Sequence, residues 1–361
     1  MTDPLPIGAT IGILGGGQLG RMLAMAAADL GLHTHIYDPA DACPASHVAT
    51  AVTTAAYDDT DALFAFADAV DVITYEFENI PTAALDLLEM RRPIRPNRRA
   101  LSVSQDRLSE KNFLQSLGLS LAPFLPVDTA GDLPAALRGT GTPAILKTRR
   151  FGYDGKGQVR IADPGATKDA ETLIANTPAI LEGFVTFSQE ISVIGARGLS
   201  GEIACYDPGT NVHRDGILHT TTVPAQLSNA QRTDAILIAG QILNALDYVG
   251  VMGVELFVTA TGLLVNEIAP RVHNSGHWTQ DGCVIDQFEQ HIRAIAGWPL
   301  GNGARHSDVE MLNLIGNDLD RIGDFAKDSN CAIHLYGKSE TRPGRKMGHV
   351  NRLVSSSAAS G

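Results

Sequence analysis

The most informative stretch of the chain is residues 253–268, which read Gly-Val-Glu-Leu-Phe-Val-Thr-Ala-Thr-Gly-Leu-Leu-Val-Asn-Glu-Ile. Apolar and β-branched residues flank Ala260-Thr261-Gly262, so this stretch predicts two strands joined by a three-residue turn. Glycine at the last position of such a turn is common, because that position adopts a left-handed backbone. A turn of this length would pair Thr259 with Leu263.

The same register pairs Glu255 with Glu267. Side chains directly opposite each other have Cβ atoms about 4.5 to 5.5 Å apart, and two bare carboxylates at that distance destabilise a sheet. A divalent cation removes the conflict. Oxygen ligands with few nearby nitrogen or sulfur donors favour Mg²⁺, which takes its remaining oxygens from water and nucleotide phosphates. Asn266 adds a neutral oxygen. The alternative is two solvated glutamates on an exposed hairpin, because a register can slip by one residue.

A glycine-rich segment follows Lys147, which ends an apolar strand. Its sequence is Gly152-Tyr153-Asp154-Gly155-Lys156-Gly157-Gln158. Two lysines flank backbone N–H donors that can close over a polyphosphate and exclude water, which favours a phosphate-binding loop. An ordinary hairpin turn around Asp154-Gly155 is the alternative interpretation.

The N-terminal segment predicts a βαβ unit. Thr10 to Leu14 is a short apolar strand, a helix extends to Gly31, and His33 to Tyr37 is the second strand. Between the first strand and the helix, Gly15-Gly16-Gly17-Gln18-Leu19-Gly20 matches G-x-G-x-x-G, and Asp38 stands near the position of a ribose-binding acid. Three interpretations stay open: a dinucleotide site, a sugar phosphate held by backbone amides, or a turn that binds nothing.

A further strand is predicted from Val70 to Phe77. Glu76, Glu78 and Asn79 fall at its carboxyl end, before a proline. Ligands of open α/β sheets bind at this edge, so the acidic residues here are candidates for substrate contacts.

The chain divides into three predicted units and a tail. Residues 1–103 predict a Rossmann-like α/β domain, residues 104–195 a small α+β lid with a connecting helix, and residues 196–354 a β-rich catalytic domain. Residues 355–361 contain only Ser, Ala and Gly, which predicts disorder. The predicted strands of the lid are residues 144–147, 158–161, 179–182 and 190–194.

Composition excludes several classes of protein. The 361 residues include 28 Lys and Arg against 40 Asp and Glu, a formal net charge of −12, which excludes a broad basic surface that coats nucleic acid. The four cysteines form no C-x-x-C pair, which favours a reducing cytoplasmic location over a zinc ribbon or a disulfide framework. We expect no signal peptide and no membrane partner, because the sequence has no run of about 18 apolar residues.

Taken in chain order, these motifs resemble those of the ATP-grasp superfamily. The nucleotide and metal part of the resemblance lies in Lys147, residues 152–158, Glu182-Gly183-Phe184-Val185, Glu190, Glu255 and Asn266-Glu267. Within the superfamily, the chain resembles the N5-carboxyaminoimidazole ribonucleotide synthetase family of purine synthesis. That resemblance lies in residues 105–107, 152–155, 213–216, 271–278 and 342–346, and the match extends from about Ile11 to Leu353.

The resemblance implies a protein of mixed α/β and α+β class with the ATP-grasp fold. Its N-terminal domain would be Rossmann-like (pre-ATP-grasp), followed by a small α+β lid and a C-terminal ATP-grasp domain rich in β-strands. Glu255 and Glu267 would bind Mg²⁺, with two ions expected. The residues implied to bind ATP are Arg107, Lys147, Gly152, Tyr153, Asp154, Gly155, Lys156, Gly157, Gln158, Glu182, Gly183, Phe184, Val185, Glu190, His213, Asn266 and Glu267.

The resemblance also implies a second substrate site and a catalytic group. The residues implied to contact the ribonucleotide are Gln18, Leu19, Glu76, Tyr153, Asn274, Lys338, Arg345 and Lys346. The residues implied to act on the transferred groups are Arg271, His273, Asp154 and Lys338.

The implied reaction is the ATP-dependent carboxylation of 5-aminoimidazole ribonucleotide with bicarbonate. It would pass through carboxyphosphate and give N5-carboxyaminoimidazole ribonucleotide, ADP and phosphate. The implied partners are these small molecules, with no nucleic acid and no membrane, and a homodimer is expected because two-fold pairs are the commonest assemblies. A formate-dependent glycinamide ribonucleotide transformylase of the same superfamily is the nearest alternative. An NAD-dependent oxidoreductase and a non-catalytic nucleotide-binding module are the others.

Overall fold

The computed structural model describes residues 3–152, 155–175 and 177–354. Tyr153, Asp154 and the tail of residues 355–361 lie outside the described residues. The described part forms three β-sheets with helices packed against them, so the predicted mixed α/β and α+β class is confirmed. Within the same ranges, no helix is both long enough and apolar enough to cross a membrane.

The first sheet is the predicted Rossmann-like unit. Its four parallel strands lie in the order β3-β2-β1-β4, so the strand order reverses at β1. Ligands of such sheets bind at the carboxyl edge where the order reverses, which is where the glycine turn and Glu76 lie. The elements are β1 (Thr10–Leu14), α1 (Gln18–Asp29), β2 (His33–Asp38), β3 (Ala51–Thr54), α2 (Thr60–Asp68), β4 (Val72–Tyr75) and α3 (Thr82–Glu89).

Two helices, α4 (Arg98–Ser104) and α5 (Arg107–Ser116), connect the first sheet to the second. Helix α5 begins where Asp106 caps it, because the Asp106 carboxylate accepts hydrogen bonds from the amides of Leu108 and Ser109. This cap places Arg107 in the first turn, and it fixes the direction of the side chains that α5 presents to the rest of the site.

The second sheet is the small antiparallel lid, with strand order β5-β8-β6-β7. The predicted lid strands at residues 144–147, 158–161 and 179–182 are confirmed within one residue. The predicted lid strand at residues 190–194 is wrong, because that segment pairs with the third sheet. The elements are β5 (Phe124–Val127), α6 (Leu133–Thr140), β6 (Ala144–Thr148), β7 (Gln158–Ile161), α7 (Lys168–Ile174) and β8 (Ala179–Gly183).

The third sheet has nine strands in the order β14-β13-β9-β11-β12-β15-β17-β16, with β10 paired to β9. The chain passes from the lid into this sheet through residues 184–188. Its strands are β9 (Gln189–Arg197), β10 (Ile203–Cys205), β11 (Gly209–Arg214), β12 (Ile217–Val223), β13 (Gly250–Thr259), β14 (Gly262–Ala269), β15 (Asp308–Ile315), β16 (Cys331–Leu335) and β17 (Lys346–Val354). Its helices are α8 (Asn229–Ala245), α9 (Thr279–Gly282), α10 (Gln287–Ala296) and α11 (Ile322–Phe325).

Helix α10 joins the first sheet to the third. One apolar core runs from Leu23 on α1 to Ile292 on α10 and on into the large sheet. Within this joint lies His291, which is fully buried. Its Nε2 lies 2.8 Å from Thr74 Oγ1 of β4, and its Nδ1 accepts a hydrogen bond from the Val251 amide of β13. A neutral imidazole therefore ties β4 to β13.

We expect His291→Gln to flatten the loss of stability in acid. Burial lowers the pKa of His291 to about 3, whereas an unfolded histidine has a pKa near 6.5. The stability that this group supplies is therefore complete above pH 6.5 and is lost as the pH falls towards 3. Between pH 6.5 and 5.0 the loss is about 2 kcal/mol. Urea unfolding should find the variant less stable at pH 7.5, with a deficit that shrinks by about that amount at pH 5.0.

The matched control is His33→Gln, since His33 is exposed. It should follow the pH profile of the wild type. Parallel profiles for His291→Gln and the wild type would contradict the assignment of this acid sensitivity to the joint between β4 and β13.

Candidate functional site

The hairpin of β13 and β14 brings Glu255 opposite Glu267, as predicted, but its turn and its register differ from the prediction. The turn has two residues instead of three, because Thr259 pairs with Gly262. Leu256 then pairs with Val265, and a β-bulge follows in which Asn266 is the extra residue. The predicted turn was therefore wrong by one residue, and the bulge shifts the register back by one.

The acidic side chains of three strands share one face of the large sheet. Glu255 lies opposite Ser192 of β9, and Phe257 lies opposite Glu190 of the same strand. Since alternate residues of a strand point to the same face, Glu190 and Glu255 project together. His213 of β11 joins them, with its Nδ1 2.8 Å from Glu190 Oε2. Although burial opposes its charge, the carboxylate of Glu190 raises the pKa of His213.

The two opposed glutamates differ in their electrostatic surroundings. Burial and the charge of Glu267 raise the pKa of Glu255 to about 7. Burial acts to raise the pKa of Glu267 as well. Arg107, which lies 2.7 Å from Glu267 Oε2, outweighs this effect and lowers the pKa of Glu267 to about 2. One carboxylate is thus compensated by a cation of α5, and the other lacks an equivalent partner among the described residues. A divalent cation between them would stabilise both charged forms.

The lid contributes cations to the same space. Ile145 of β6 pairs with Glu182 of β8, so Lys147, two residues along, shares a face with that carboxylate. Its Nζ lies 3.1 Å from Glu182 Oε2, and burial lowers the pKa of Lys147. The other carboxylate oxygen, Glu182 Oε1, is buried without a hydrogen-bond partner in the described part of the chain. A buried acceptor in this state is suited to a donor on a bound ligand.

The glycine-rich segment runs from the lid towards the large sheet. Its Gly152 lies beside Arg107, whose Nη2 is 3.8 Å from the position that a Cβ would take. Its Gly155 has a φ of 76° and packs on the turn between β11 and β12, where a Cβ would come within 3.2 Å of Gly216 Cα. The two described glycines therefore lie beside Arg107 and beside the turn between β11 and β12, positions that suit a loop covering phosphates.

The connection between lid and large sheet supplies apolar surface. Phe184 is 41% exposed, and its amide donates to the carbonyl of Pro143. Phe187 stacks on Phe257, with ring centroids 4.6 Å apart. Val185 lies between them in sequence and is half-buried. The segment that resembles an adenine-binding connection thus presents exposed apolar side chains next to Glu182 in the sequence.

Two further predicted residues lie where the first and third sheets meet. Arg271 Nη2 is 2.8 Å from Glu78 Oε1, which follows β4. His273 Nε2 is 3.6 Å from Glu255 Oε1, and its Nδ1 is 2.8 Å from Ser275 Oγ. Burial lowers the pKa of His273 to about 3, so its imidazole is neutral at pH 7. Both side chains therefore stand between the acidic pair and the N-terminal domain.

The glycine turn after β1 holds carboxylates of its own chain. The Gly16 amide donates to Asp38 Oδ2 and the Gly17 amide donates to Glu76 Oε1, at 2.6 and 2.8 Å. A phosphate at these amides would have to displace two carboxylates and would be repelled by them. This geometry opposes the dinucleotide and sugar-phosphate interpretations of the motif.

The carboxyl edge of the first sheet nevertheless encloses a cavity of about 470 Å³. Glu76, Tyr57 and Phe77 line it together with the glycine turn. Gln18 begins α1 beside this cavity, whereas the Leu19 side chain is buried in the apolar core. The cavity can accept a polar ring system, and Leu19 supports its wall from behind.

The predicted basic segment returns to the same region. Lys338 Nζ donates to the Lys346 carbonyl, and Arg345 donates to the Glu340 carbonyl. Lys346 contributes to the lowered pKa of His273, so its charge faces the site. The adjacent Gly337 lies against Arg21 and His47 of the N-terminal domain.

Asn274, another predicted substrate contact, lies nearby. It exchanges two side-chain hydrogen bonds with Asn313 of β15, at 2.9 and 2.8 Å. This reciprocal amide pair fixes its orientation. The structure thus brings Arg107, Lys147, Glu182, Glu255, Glu267 and His273 close together, whereas the Leu19 side chain is buried in the apolar core and Tyr153 and Asp154 lie outside the described residues.

Sequence reasoning missed two charged residues of this site. Glu110 and Lys111 lie on α5 and contact β14, whereas Glu78, which the sequence did indicate as a candidate, pairs with Arg271. A signal for the helical pair was present, because Arg107, Glu110 and Lys111 have the i, i+3, i+4 spacing that puts side chains on one helix face. The sequence alone does not show that these three side chains all contact β14.

Models of three domain families match the chain. The ribonucleotide synthetase preATP-grasp domain matches residues 8–105, the ATP-grasp domain residues 112–288, and the phosphoribosylaminoimidazole carboxylase C-terminal domain residues 310–360. Among curated proteins, the N5-carboxyaminoimidazole ribonucleotide synthase of Brucella melitensis is 55% identical over 349 residues, which covers 96% of both chains. The enzyme of that name from Pseudomonas aeruginosa is 42% identical, covering 94% of this chain and 93% of its own.

Solved structures agree with these matches. The ADP complex of an N5-carboxyaminoimidazole ribonucleotide synthetase superimposes with a TM-score of 0.96 at 41% identity, covering 99% of this chain and 95% of that one. The N5-carboxyaminoimidazole synthase of Aspergillus clavatus, solved with ADP and 5-aminoimidazole ribonucleotide, gives 0.91 at 30% identity. It covers 96% of this chain and 94% of its own.

We expect Gly155→Ala to weaken ADP binding about tenfold without unfolding the protein. The left-handed backbone of Gly155 costs an alanine about 1 to 2 kcal/mol, and the added methyl would press on Gly216. Isothermal titration calorimetry with ADP and Mg²⁺ measures the change. Gly131→Ala is the matched control, because its Cβ would meet only Thr129 Oγ1 at 3.6 Å. Equal affinity for both variants would contradict a role of this loop in nucleotide binding.

Proposed function

Since this chain belongs to the N5-carboxyaminoimidazole ribonucleotide synthases, ATP-grasp ligases that carboxylate 5-aminoimidazole ribonucleotide, we propose how its residues divide that work. The observation that carries the proposal is the pair of opposed carboxylates, Glu255 and Glu267, facing the cations Arg107 and Lys147 across one cleft. A triphosphate with a divalent ion requires acidic side chains that bind the metal and basic side chains that bind the phosphates.

The acidic pair fits Mg²⁺ by its donor chemistry. Among the described residues, His, Cys, Asp and Glu form no group of three or more that could hold a metal alone. Two carboxylates completed by nucleotide phosphates and water are instead the usual environment of Mg²⁺. Glu255 and Glu267 would hold the ion, with the Asn266 side chain as a further oxygen donor. When bound, Mg²⁺ neutralises charge on the phosphate oxygens as the phosphoryl group moves.

We assign the nucleotide to the cleft between lid and large sheet. Arg107 and Lys147 would contact the phosphates, under the loop of residues 152–158. The base would contact residues Glu182 to Val185, and Glu190 with His213 would bind the ribose hydroxyls. The buried unpaired oxygen of Glu182 and the exposed apolar surface of Phe184 support this placement.

We assign the carboxylation steps to the junction beside the acidic pair. A bicarbonate oxygen attacks the γ-phosphorus and ADP leaves, giving carboxyphosphate. This intermediate breaks into CO₂ and phosphate, and the exocyclic amine adds to CO₂ and releases a proton. Arg271 would stabilise the charged oxygens, and neutral His273 can form hydrogen bonds without adding charge. The covering loop protects the short-lived intermediate from water.

The ribonucleotide would lie between the N-terminal cavity and the basic segment. Glu76 would contact its ribose or base, because it lines the cavity, and Gln18 would join it, because it follows the lining residue Gly17 at the start of α1. Lys338, Arg345 and Lys346 would bind its phosphate through charge-assisted hydrogen bonds. This placement does not require the glycine turn to bind the phosphate, since its amides hold Asp38 and Glu76.

The proposal includes assembly and location. We infer a homodimer and a cytoplasmic enzyme from the family resemblance, and sedimentation equilibrium of the purified chain tests the first. A sedimenting mass near 38.3 kDa would contradict the dimer.

One assay tests the proposed reaction. Phosphate release from ATP is measured with 5-aminoimidazole ribonucleotide, first with bicarbonate and then with formate in its place. We expect release, and the carboxylated product by mass spectrometry, with bicarbonate only. Turnover of glycinamide ribonucleotide with formate would establish the transformylase alternative instead.

We expect Glu267→Gln to reduce bicarbonate-dependent ATP hydrolysis by at least about 100-fold. The amide keeps an oxygen acceptor for Arg107, so the fold should persist, but the charge that would hold the metal is lost. Glu310→Gln, on an exposed strand position of the same sheet, is the matched control and should retain activity. Full turnover by a folded Glu267→Gln protein would remove the metal assignment.

We expect Arg345→Ala to raise the KM for the ribonucleotide while leaving kcat nearly unchanged. A phosphate far from the reacting amine makes the same contact in the ground state and the transition state. Arg342→Ala is the control, because Arg342 is exposed and pairs with Glu340. If the two variants show the same KM, Arg345 does not bind substrate.

A further inference from the structure

One face of α5 contacts three consecutive residues of the metal-binding strand. Arg107 pairs with the Glu267 side chain, at 2.7 Å. Glu110 Oε1 accepts a hydrogen bond from the Ile268 amide, at 2.6 Å. Lys111 Nζ donates to the Asn266 carbonyl, at 2.7 Å. The helix therefore fixes the backbone on both sides of Glu267 as well as its carboxylate.

Lys111 is the least expected member of this set. Its side chain is 1% exposed. Burying an ammonium group carries a large desolvation cost unless partners compensate it. An apolar side chain of similar length would pack here without that cost, so the ammonium group contributes through its contacts.

Those contacts lie on two different sheets. The Asn266 carbonyl belongs to the β-bulge of the large sheet, where the ladder of β13 and β14 is interrupted. The second partner, Glu182 Oε2 of the lid, is 3.4 Å from Lys111 Nζ. Lys111 thus links two elements of the site. One is the bulge on the large sheet that directs Glu267, and the other is the lid strand β8, whose Glu182 also pairs with Lys147.

Glu182 has two lysine partners, and they differ in exposure. Lys147 is 13% exposed at its side chain and faces the cleft, whereas Lys111 is 1% exposed behind it. Although burial acts against the charge of Glu182, these lysines and Arg107 lower its pKa. If Lys147 turns to a phosphate, Lys111 still leaves the Glu182 carboxylate with a counter-charge.

We propose that Lys111 is a positioning residue for phosphoryl transfer. It fixes the bulge carbonyl of Asn266, and so the direction of Glu267, and it keeps Glu182 neutralised when Lys147 binds nucleotide. The inference rests on the proposed function only in taking Glu267 as a metal ligand and Lys147 as a phosphate ligand.

The test is Lys111→Met in the full-length protein, with binding of ADP measured by calorimetry at a series of Mg²⁺ concentrations. We expect affinity for ADP with Mg²⁺ to fall at least about tenfold, the scale of losing a residue that orients a metal ligand. The Mg²⁺ concentration for half-maximal binding should rise as well. A purely structural lysine would lower the melting temperature without moving that concentration.

Leu114→Ala supplies the matched control on the same helix. Leu114 is fully buried in the apolar core and carries no charge. Its truncation should lower the melting temperature at least as much as Lys111→Met, since cavities of this kind cost about 2 to 5 kcal/mol. Its Mg²⁺ dependence should match the wild type.

Wild-type Mg²⁺ dependence and ADP affinity in Lys111→Met would overturn the proposal. If that variant does not fold, Lys111→Gln, which keeps an N–H donor but loses the charge, should show the same defect, and wild-type values there would overturn it equally. Failure of this inference can be distinguished from failure of the proposed reaction in the carboxylation assay. A wild type that binds ADP with Mg²⁺ but ignores bicarbonate refutes the reaction alone, whereas one that does not bind ADP with Mg²⁺ refutes both.

Discussion

The repulsion between two partly buried carboxylates is the interaction on which the rest of this site depends. Glu255 and Glu267 face each other across a strand pair, and without a cation each raises the cost of ionising the other. Arg107 compensates only Glu267, which leaves the pKa of Glu255 at about 7 and that of Glu267 at about 2. The pair is thus asymmetric before any ligand binds. Under the proposed function, a divalent ion carrying phosphates would supply the charge that the protein itself provides for only one of the two carboxylates.

The need to hold this acidic pair in place explains why α5, a short helix, contacts so many elements. Arg107, Glu110 and Lys111 of α5 hold β14, and the Asp106 cap also binds Arg149 of the lid at 2.8 Å. Just before it, Gln105 donates to carbonyls after β4 and accepts from Arg150. The three sheets therefore meet at residues 105–111. The acidic pair is therefore held by a segment that also contacts the lid and the N-terminal domain.

Sequence reasoning reached the acidic pair, the lid strands and the Rossmann-like sheet because their signals are local. It misplaced the segment at residues 190–194, since strand length and polarity are the same whether a strand pairs with β8 or with β13. It reached the pairing of Glu255 with Glu267 through two deviations that cancel, a shorter turn and the bulge at Asn266. It did not find Glu110 or Lys111, because their partners on β14 are far along the chain. Helical spacing indicates that side chains share a face, but it does not indicate what that face contacts.

The glycine turn after β1 shows that a sequence motif alone does not establish which group the backbone amides bind. Its sequence fits a dinucleotide fingerprint, and its strand–turn–helix context fits as well. The amides of Gly16 and Gly17, however, bind the carboxylates of Asp38, which ends β2, and Glu76, which follows β4. Burial raises the pKa of Glu76, while the Gly17 amide and Arg271 act in the opposite direction. The turn thus orients Glu76 at the pocket instead of binding a phosphate. Under the proposed function, the phosphate of the substrate would be held elsewhere, on the basic segment of the C-terminal domain.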